Sequence, residues 1–275
     1  MDLRIIGIDA SLSSTGFAVA DCSVNPKYNS KYKEALFKLL TEKNYKDLSA
    51  LDNCFMLVRG IEIKESKETS KLLAAARKRI REAEKEDKQP NLKDLLEEEY
   101  LSTKKITDQV DQIIFLIEEQ EKDKQLTFIF IEDYSFLSHG SITQLAEMKG
   151  VLKTRMERYI SVNTQMNGGV QQLFYLTANI NAVKKVAARN GNAPKDLICE
   201  ELTRFGFKYD TSKDDEADAV AITLASFYAI FHRLCPFEVP QGLKTKERNY
   251  LKSFVASLNT FGNRIGSRED LQSLL

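Results

Sequence analysis

Apolar residues along this chain alternate between two spacings, and each change of spacing marks an element. Ile5, Ile6 and Ile8 run into Asp9, which predicts a short buried strand over residues 4–9 that ends on an acid. A Ser-rich turn, Ser11-Leu12-Ser13-Ser14, leads into a second strand over 15–20. So short a connection predicts an antiparallel hairpin. Residues 23–54 are polar, rich in Lys and Asn and weakly helical around 33–40, and they read as an insertion. Strand character resumes over 55–64 and completes a three-stranded antiparallel unit.

From Thr69 the period turns helical. Leu72, Ala76, Ile80 and Ala83 mark one face of a highly charged helix that Pro90 interrupts. A second helical stretch carries Leu92, Leu95 and Leu96, then Ile106, Val110, Ile113 and Ile117, with Ser102-Thr103 as a candidate division. A strand over 127–132 follows, then a helix over 141–160 whose Gly150 marks a place where something packs close. Next come a strand over 172–176 and helices over 180–188, 195–205 and 215–231. Beyond Pro236 only 250–258 carries a helical pattern. A hairpin unit followed by alternating strands and helices predicts an α/β fold, a mixed sheet with helices on both faces. The organisation expected is one domain over 1–235, with insertions at 23–54 and 66–105, and a C-terminal tail over 236–275. The charged helical pair at 67–101 reads either as a solvated hairpin or as an arm that touches DNA or a partner subunit.

Composition narrows the function classes. The 275 residues are 43% hydrophobic, enough for one large α/β domain. Forty Lys+Arg cancel forty Asp+Glu, so bulk charge does not attract nucleic acid and only a local basic groove would. Four scattered cysteines and two histidines, with no CxxC, disfavour zinc and fit reduced thiols. No stretch reaches the ~18 to 20 apolar residues of a membrane span, and Met1-Asp2-Leu3-Arg4 shows no signal pattern. The expected setting is the cytoplasm.

The candidate chemistry lies in four acids. Asp9 and Glu132 each close an apolar run, and Asp215 and Asp218 sit three apart in Asp214-Asp215-Glu216-Ala217-Asp218, on one face of a helix. An acid ending a buried strand is costly unless something positive meets it. Several such acids converging would suit Mg²⁺, which takes hard oxygen ligands. Taken singly, Asp9 also reads as a strand-end cap and the Asp215 segment as an acidic first helical turn. Asp214 and Glu216 leave that assignment open by one residue. Of Glu132 and Asp133 only one can face the sheet's active side, because strand side chains alternate.

Several segments together resemble the RuvC-type Holliday-junction resolvases of the ribonuclease H-like nucleases, and most of all their divergent phage forms. Gly7-Ile8-Asp9-Ala10-Ser11-Leu12-Ser13-Ser14-Thr15-Gly16-Phe17-Ala18 is similar to that family's first strand, turn and second strand. Ile131-Glu132-Asp133 resembles its fourth-strand Glu, and Leu145-Ala146-Glu147-Met148-Lys149-Gly150-Val151-Leu152 the helix that follows. Val183-Lys184-Lys185-Val186 and Gly191-Asn192-Ala193-Pro194-Lys195 look like its basic segment, with Lys184 and Lys195 eleven apart. Asp215-Glu216-Ala217-Asp218-Ala219 resembles its closing helix. The two insertions and the Ala-Ser after Asp9 depart from the family pattern.

The resemblance implies a ribonuclease H-like fold and a homodimer that binds branched, four-way DNA. It implies an Mg²⁺- or Mn²⁺-dependent endonuclease holding two ions per site on Asp9, Glu132, Asp215 and Asp218, with 5′-phosphate and 3′-hydroxyl products. Lys184, Lys185, Arg189 and Lys195 would meet phosphates, and an aromatic near strand four, Tyr134 or Phe136, would help open the junction. Residues 184–208 hold six Lys/Arg against three acids. His139 is a candidate for contact with DNA or with the metal's surroundings, and His232 reads as a cationic residue complementing a helix C-terminus. Competing readings are a broader nuclease for branched or flapped DNA, a silent DNA-structure binder, and an actin-like ATPase or sugar kinase. The last would need a second Gly-rich phosphate hairpin, which the chain lacks.

Overall fold

β1 (Asp2–Asp9) pairs antiparallel with β2 (Ser14–Ser23), and β2 pairs antiparallel with β3 (Phe55–Lys64). β4 (Leu126–Glu132) adds to β1 in parallel, and β5 (Gln172–Ala178) adds to β4 in parallel. The sheet order is therefore β3-β2-β1-β4-β5. Parallel neighbours need long crossovers. Here α1 (Lys67–Lys85) and α2 (Leu92–Glu121) separate β3 from β4, and α3 (Ile142–Met166) separates β4 from β5. The chain ends in α4 (Ile180–Ala188), α5 (Lys195–Arg204), α6 (Asp214–Leu234), α7 (Thr245–Gly262) and α8 (Arg268–Leu274). This computed structural model describes residues 2–23, 55–121, 126–133, 142–166, 172–204, 207, 214–234, 236–239, 241–262, 265 and 268–274. The expected α/β class, a mixed sheet with helices on both faces, is the one observed.

Strand alternation splits the core in two. On one face Leu3, Ile5, Ala20, Phe128 and Phe130 pack against Val183, Leu202, Ile222, Phe227 and Phe254 from α4, α5, α6 and α7. On the other, Ile6, Ile8, Phe17, Val19, Ile129 and Ile131 meet Ile106, Val110, Ile113 and Ile117 of α2 and Met148, Leu152 and Met156 of α3. Helix α6 lies between the sheet and the outer helices, and every residue from 217 to 232 is buried. That explains an apolar run with no polar face.

Glycines set how close α6 comes. Gly7, Ala18 and Gly60 form one row across β1, β2 and β3, and Asp9 and Gly16 face each other in the row beside it. A Cβ on Gly7 would stand 2.9 Å from the Thr223 nitrogen and closer to the Ala219 carbonyl oxygen. A Cβ on Gly60 would stand 2.6 Å from Glu216 Oε1. The first turns of α6 thus rest almost on bare sheet backbone.

Three expectations are corrected. Gly150 is exposed, and among the described residues a Cβ there would have nothing within 4 Å. Ser102-Thr103 does not divide the second helix, which runs unbroken from Leu92 to Glu121. The local polar groups are absorbed: Thr107 Oγ1 bonds the Thr103 carbonyl at 2.9 Å, and Ser102 Oγ accepts from Gln144 Nε2 of α3 at 3.4 Å. His232 is buried, and its Nδ1 accepts the Phe237 N–H at 2.9 Å, so it ties down the chain leaving α6 through a lone pair. Cys22 and Cys199 are buried free thiols. Among the described residues no helix is long and apolar enough to cross a membrane.

Candidate active site at the strand-end rim

The C-terminal ends of β1 and β4 share a rim with the start of β2 and the end of β3. Asp9 closes β1 in phase with Ile5 and Gly7, and so points to the α6 side. Glu132 closes β4 in phase with Phe128 and Phe130, and alternation turns it to the same side. The first turns of α6 bring in Asp215 and Asp218 three residues apart, on one helix face. Gly16, opposite Asp9 in the ladder, leaves the space over which the Asp215 backbone passes.

One ligand oxygen from each of Asp9, Asp215 and Asp218 lies within 4.8 Å of the other two. Glu132 lies close enough to the Asp9 carboxyl to act on its pKa by hydrogen bonding and by charge. The ambiguity in the acidic run is settled in space. Asp215 joins the cluster, Asp214 lies half exposed against Lys195, and Glu216 sits over Gly60 of β3.

Electrostatics follow from that crowding. Burial raises the Asp9 pKa well above the usual carboxylate range, and the hydrogen bond and charge of Glu132 and the charges of Asp218 and Asp215 raise it further. Burial likewise pushes Asp218 up to about 6; Lys195 and Lys184 oppose the shift while Glu132 adds to it. Lys195 Nζ lies 3.0 Å from Asp214, 3.1 Å from Asp215 and 3.5 Å from Asp218. Partial burial lowers the Lys195 pKa, but these carboxylates outweigh it and the net shift is upward. The same ammonium holds Asp214 below its ordinary range.

The donor set fits a divalent cation: hard carboxylate oxygens only, brought together from β1 and α6, with Asp9 and Asp218 buried. Lys195 already places positive charge against three of the acids, so the protein itself compensates part of their charge.

Two supporting residues escaped the sequence reading. Ser14 Oγ donates to Asp215 Oδ2, and the Ser-rich turn is wound to hold it: Ser11 Oγ donates to the Ser14 carbonyl, and Gln109 Nε2 of α2 reaches the Ser11 carbonyl at 3.3 Å. Lys149 of α3 is buried and donates to the backbone carbonyls of Glu132 at 2.9 Å and Asp133 at 3.2 Å, pinning the end of β4. Desolvation lowers the Lys149 pKa, and Glu132, Asp9 and Asp133 pull it back. Its only sequence signal is a lysine inside the helix motif after strand four.

The predicted basic residues divide. Lys195 faces the acids, and Lys184 lies close enough to Asp218 to affect its charge. Lys185 instead bonds Ser253 of α7, and Arg189 ends α4 with a left-handed backbone, φ 60°. Tyr134, Phe136 and His139 lie outside the described residues, as does most of the 23–54 insertion.

No family model matches the chain, and no curated protein matches it. Among solved structures, Thermus thermophilus RuvC is similar at 14% identity, over 82% of this chain and 95% of that one, with a TM-score of 0.40. T. thermophilus RuvC in complex with Holliday junction substrate is similar at 13% identity, over 82% and 94%, with a TM-score of 0.42. What the rim residues do chemically therefore rests on their own arrangement.

Proposed function

We propose that this protein is a metal-dependent endonuclease that resolves four-way DNA junctions by hydrolysing phosphodiesters to 5′-phosphate and 3′-hydroxyl ends. The observation that carries the proposal is the convergence of Asp9, Asp215 and Asp218 within 4.8 Å, with Glu132 close enough to Asp9 to raise its pKa. Divalent ions held by these carboxylates would polarise a phosphodiester and make a water nucleophile more acidic. Asp9 is common to the cluster with Asp215 and Asp218 and to the approach of Glu132, and it would serve both ions. Glu132 and Asp218 would join it at the first, and Asp215, oriented by Ser14, at the second. Lys195 would leave the carboxylates once they are otherwise neutralised and meet a DNA phosphate, together with Lys184. Selectivity for four-way junctions, and action as a homodimer, are supported by the motif resemblance.

The test is cleavage of a labelled four-way junction in Mg²⁺, Mn²⁺ or EDTA by the parent, Asp9→Asn and Asp218→Asn proteins. Cleavage with either ion and none with EDTA is expected, and both variants should bind the junction without cutting it. Turnover by both variants would overturn the site. Equal rates on four-way, three-way and flap substrates would keep the nuclease and remove the junction selectivity.

A further inference from the structure

Helix α1 carries a feature that the rim chemistry does not use. It holds seven Lys/Arg against three Glu, a surplus of four in a chain of zero net charge. At 100° per residue, Lys67, Lys71, Lys78, Arg81 and Lys85 fall within about 80° of arc. All five are exposed. The opposite side, with Thr69, Leu73 and Ala76, is buried, and α1 packs along α2.

The acids of α2 do not neutralise this stripe. They are engaged by the two flanking arginines: Arg77 pairs with Glu98 at 2.8 Å, and Arg79 with Asp94 and Glu97 at 2.7 Å each. Within the stripe only Lys78 has an acid beside it, Glu82 at 3.7 Å. Lys67, Lys71, Arg81 and Lys85 meet no carboxylate within 4.0 Å among the described residues. Five cations on one helix face repel one another, so the face is complete only against something negative.

Its root is at the catalytic rim. Ser66 caps α1 by accepting the Thr69 N–H at 3.3 Å, directly after β3. The Glu65 N–H bonds the Ser13 carbonyl, next to the Ser14 that holds Asp215, and Lys105 of α2 pairs with Glu65. From Lys67 to Lys85 the stripe then runs about 27 Å along the helix, the length of roughly eight base pairs at 3.4 Å each.

We infer that the solvent face of α1 is a phosphate-tracking surface that grips one duplex arm of the DNA whose strand lies at the Asp9–Asp218 rim. This deepens, and rests on, the nuclease reading above. A membrane surface is disfavoured because the stripe holds no large apolar side chain, and Leu73 and Ala76 on the opposite side of α1 are buried.

The test is fluorescence anisotropy of full-length protein with a four-way junction of 20-base-pair arms, in EDTA, from 50 to 200 mM NaCl. The variant is Lys71→Gln/Arg81→Gln/Lys85→Gln, with Lys71→Arg/Lys85→Arg as the charge-preserving control. At about 0.9 in the log–log slope per phosphate contact, the triple variant should lose about 2.7 from the slope. Its affinity should then fall about 40-fold less than the parent's across that salt range, while the Arg control keeps the parental slope. With arms of 4 base pairs, too short to follow the stripe, parent and triple variant should converge. An unchanged slope in the triple variant, or a difference that persists on short arms, overturns the inference and leaves the nuclease reading standing. A variant without the helical circular dichroism of its parent would be replaced by the single Arg81→Gln change, expected to lose about 0.9 in slope. Failure of the parent to bind the junction at 50 mM NaCl overturns the nuclease reading and this inference with it.

Discussion

Replacing Gly16 by alanine tests whether the acid cluster depends on the contact between α6 and bare sheet. The added methyl would stand 2.5 Å from the Asp215 carbonyl carbon and closer still to its oxygen, against 3.4 Å for ordinary contact. Both parties are backbone, so no rotamer change relieves the clash. β2 cannot recede, because β1 and β3 hold it on both sides. The first turn of α6 must therefore lift by about 1 Å or more, taking Asp215 and Asp218 away from Asp9. Overpacking of this kind costs about 1 to 3 kcal/mol, and rigid backbone on both sides places Gly16→Ala near the top of that range. For a chain of this size that lowers the melting midpoint by roughly 6 to 12 °C. A displacement of about 1 Å at reacting groups costs on the order of 10²-fold in rate. The assay is thermal unfolding by circular dichroism beside Mn²⁺-dependent junction cleavage. Gly150→Ala is the control: that site is open and helical, so the change should stabilise by about 0.5 to 1 kcal/mol and leave cleavage alone. If Gly16→Ala melts within 2 °C of the parent (about a third of the smallest expected drop) and still cuts, the close approach does not position the acids.

Two further changes probe the supports of the site. Lys195→Ala removes the ammonium from among Asp214, Asp215 and Asp218, so calorimetry without DNA should show Mn²⁺ binding strengthened by about 1 kcal/mol, roughly fivefold. Affinity that is unchanged or weaker would mean that Lys195 does not compete with a cation. Lys149→Met keeps the length of the buried side chain but withdraws the ammonium from the carbonyls of Glu132 and Asp133; urea unfolding should show a loss of about 1 to 3 kcal/mol, smaller in Lys149→Arg. Equal stability of Lys149→Met and the parent would show that these bonds do not hold the end of β4.

Local sequence determined much of this protein. Short apolar, strand-like runs marked the five strands, and those ending on Asp9 and Glu132 placed each acid at a strand end. A spacing of three put Asp215 and Asp218 on one helix face. Those are properties of a few consecutive residues, set by backbone geometry. Tertiary structure decided the rest. Which of Asp214, Asp215 and Glu216 meets Asp9 depends on how α6 is rotated over the sheet, and that rotation is set by Gly7, Gly16 and Gly60 from three different strands. The sequence marked Gly150 as a place of close packing, yet Gly150 faces solvent while Gly7 of β1 lies beneath α6. Ser102-Thr103 looked like a break, but packing against α3 carries the helix through it. Ser14 and Lys149 had no periodic signal, because a side chain that reaches across some 200 residues to Asp215, or back to the end of β4, is selected by distance in the folded chain.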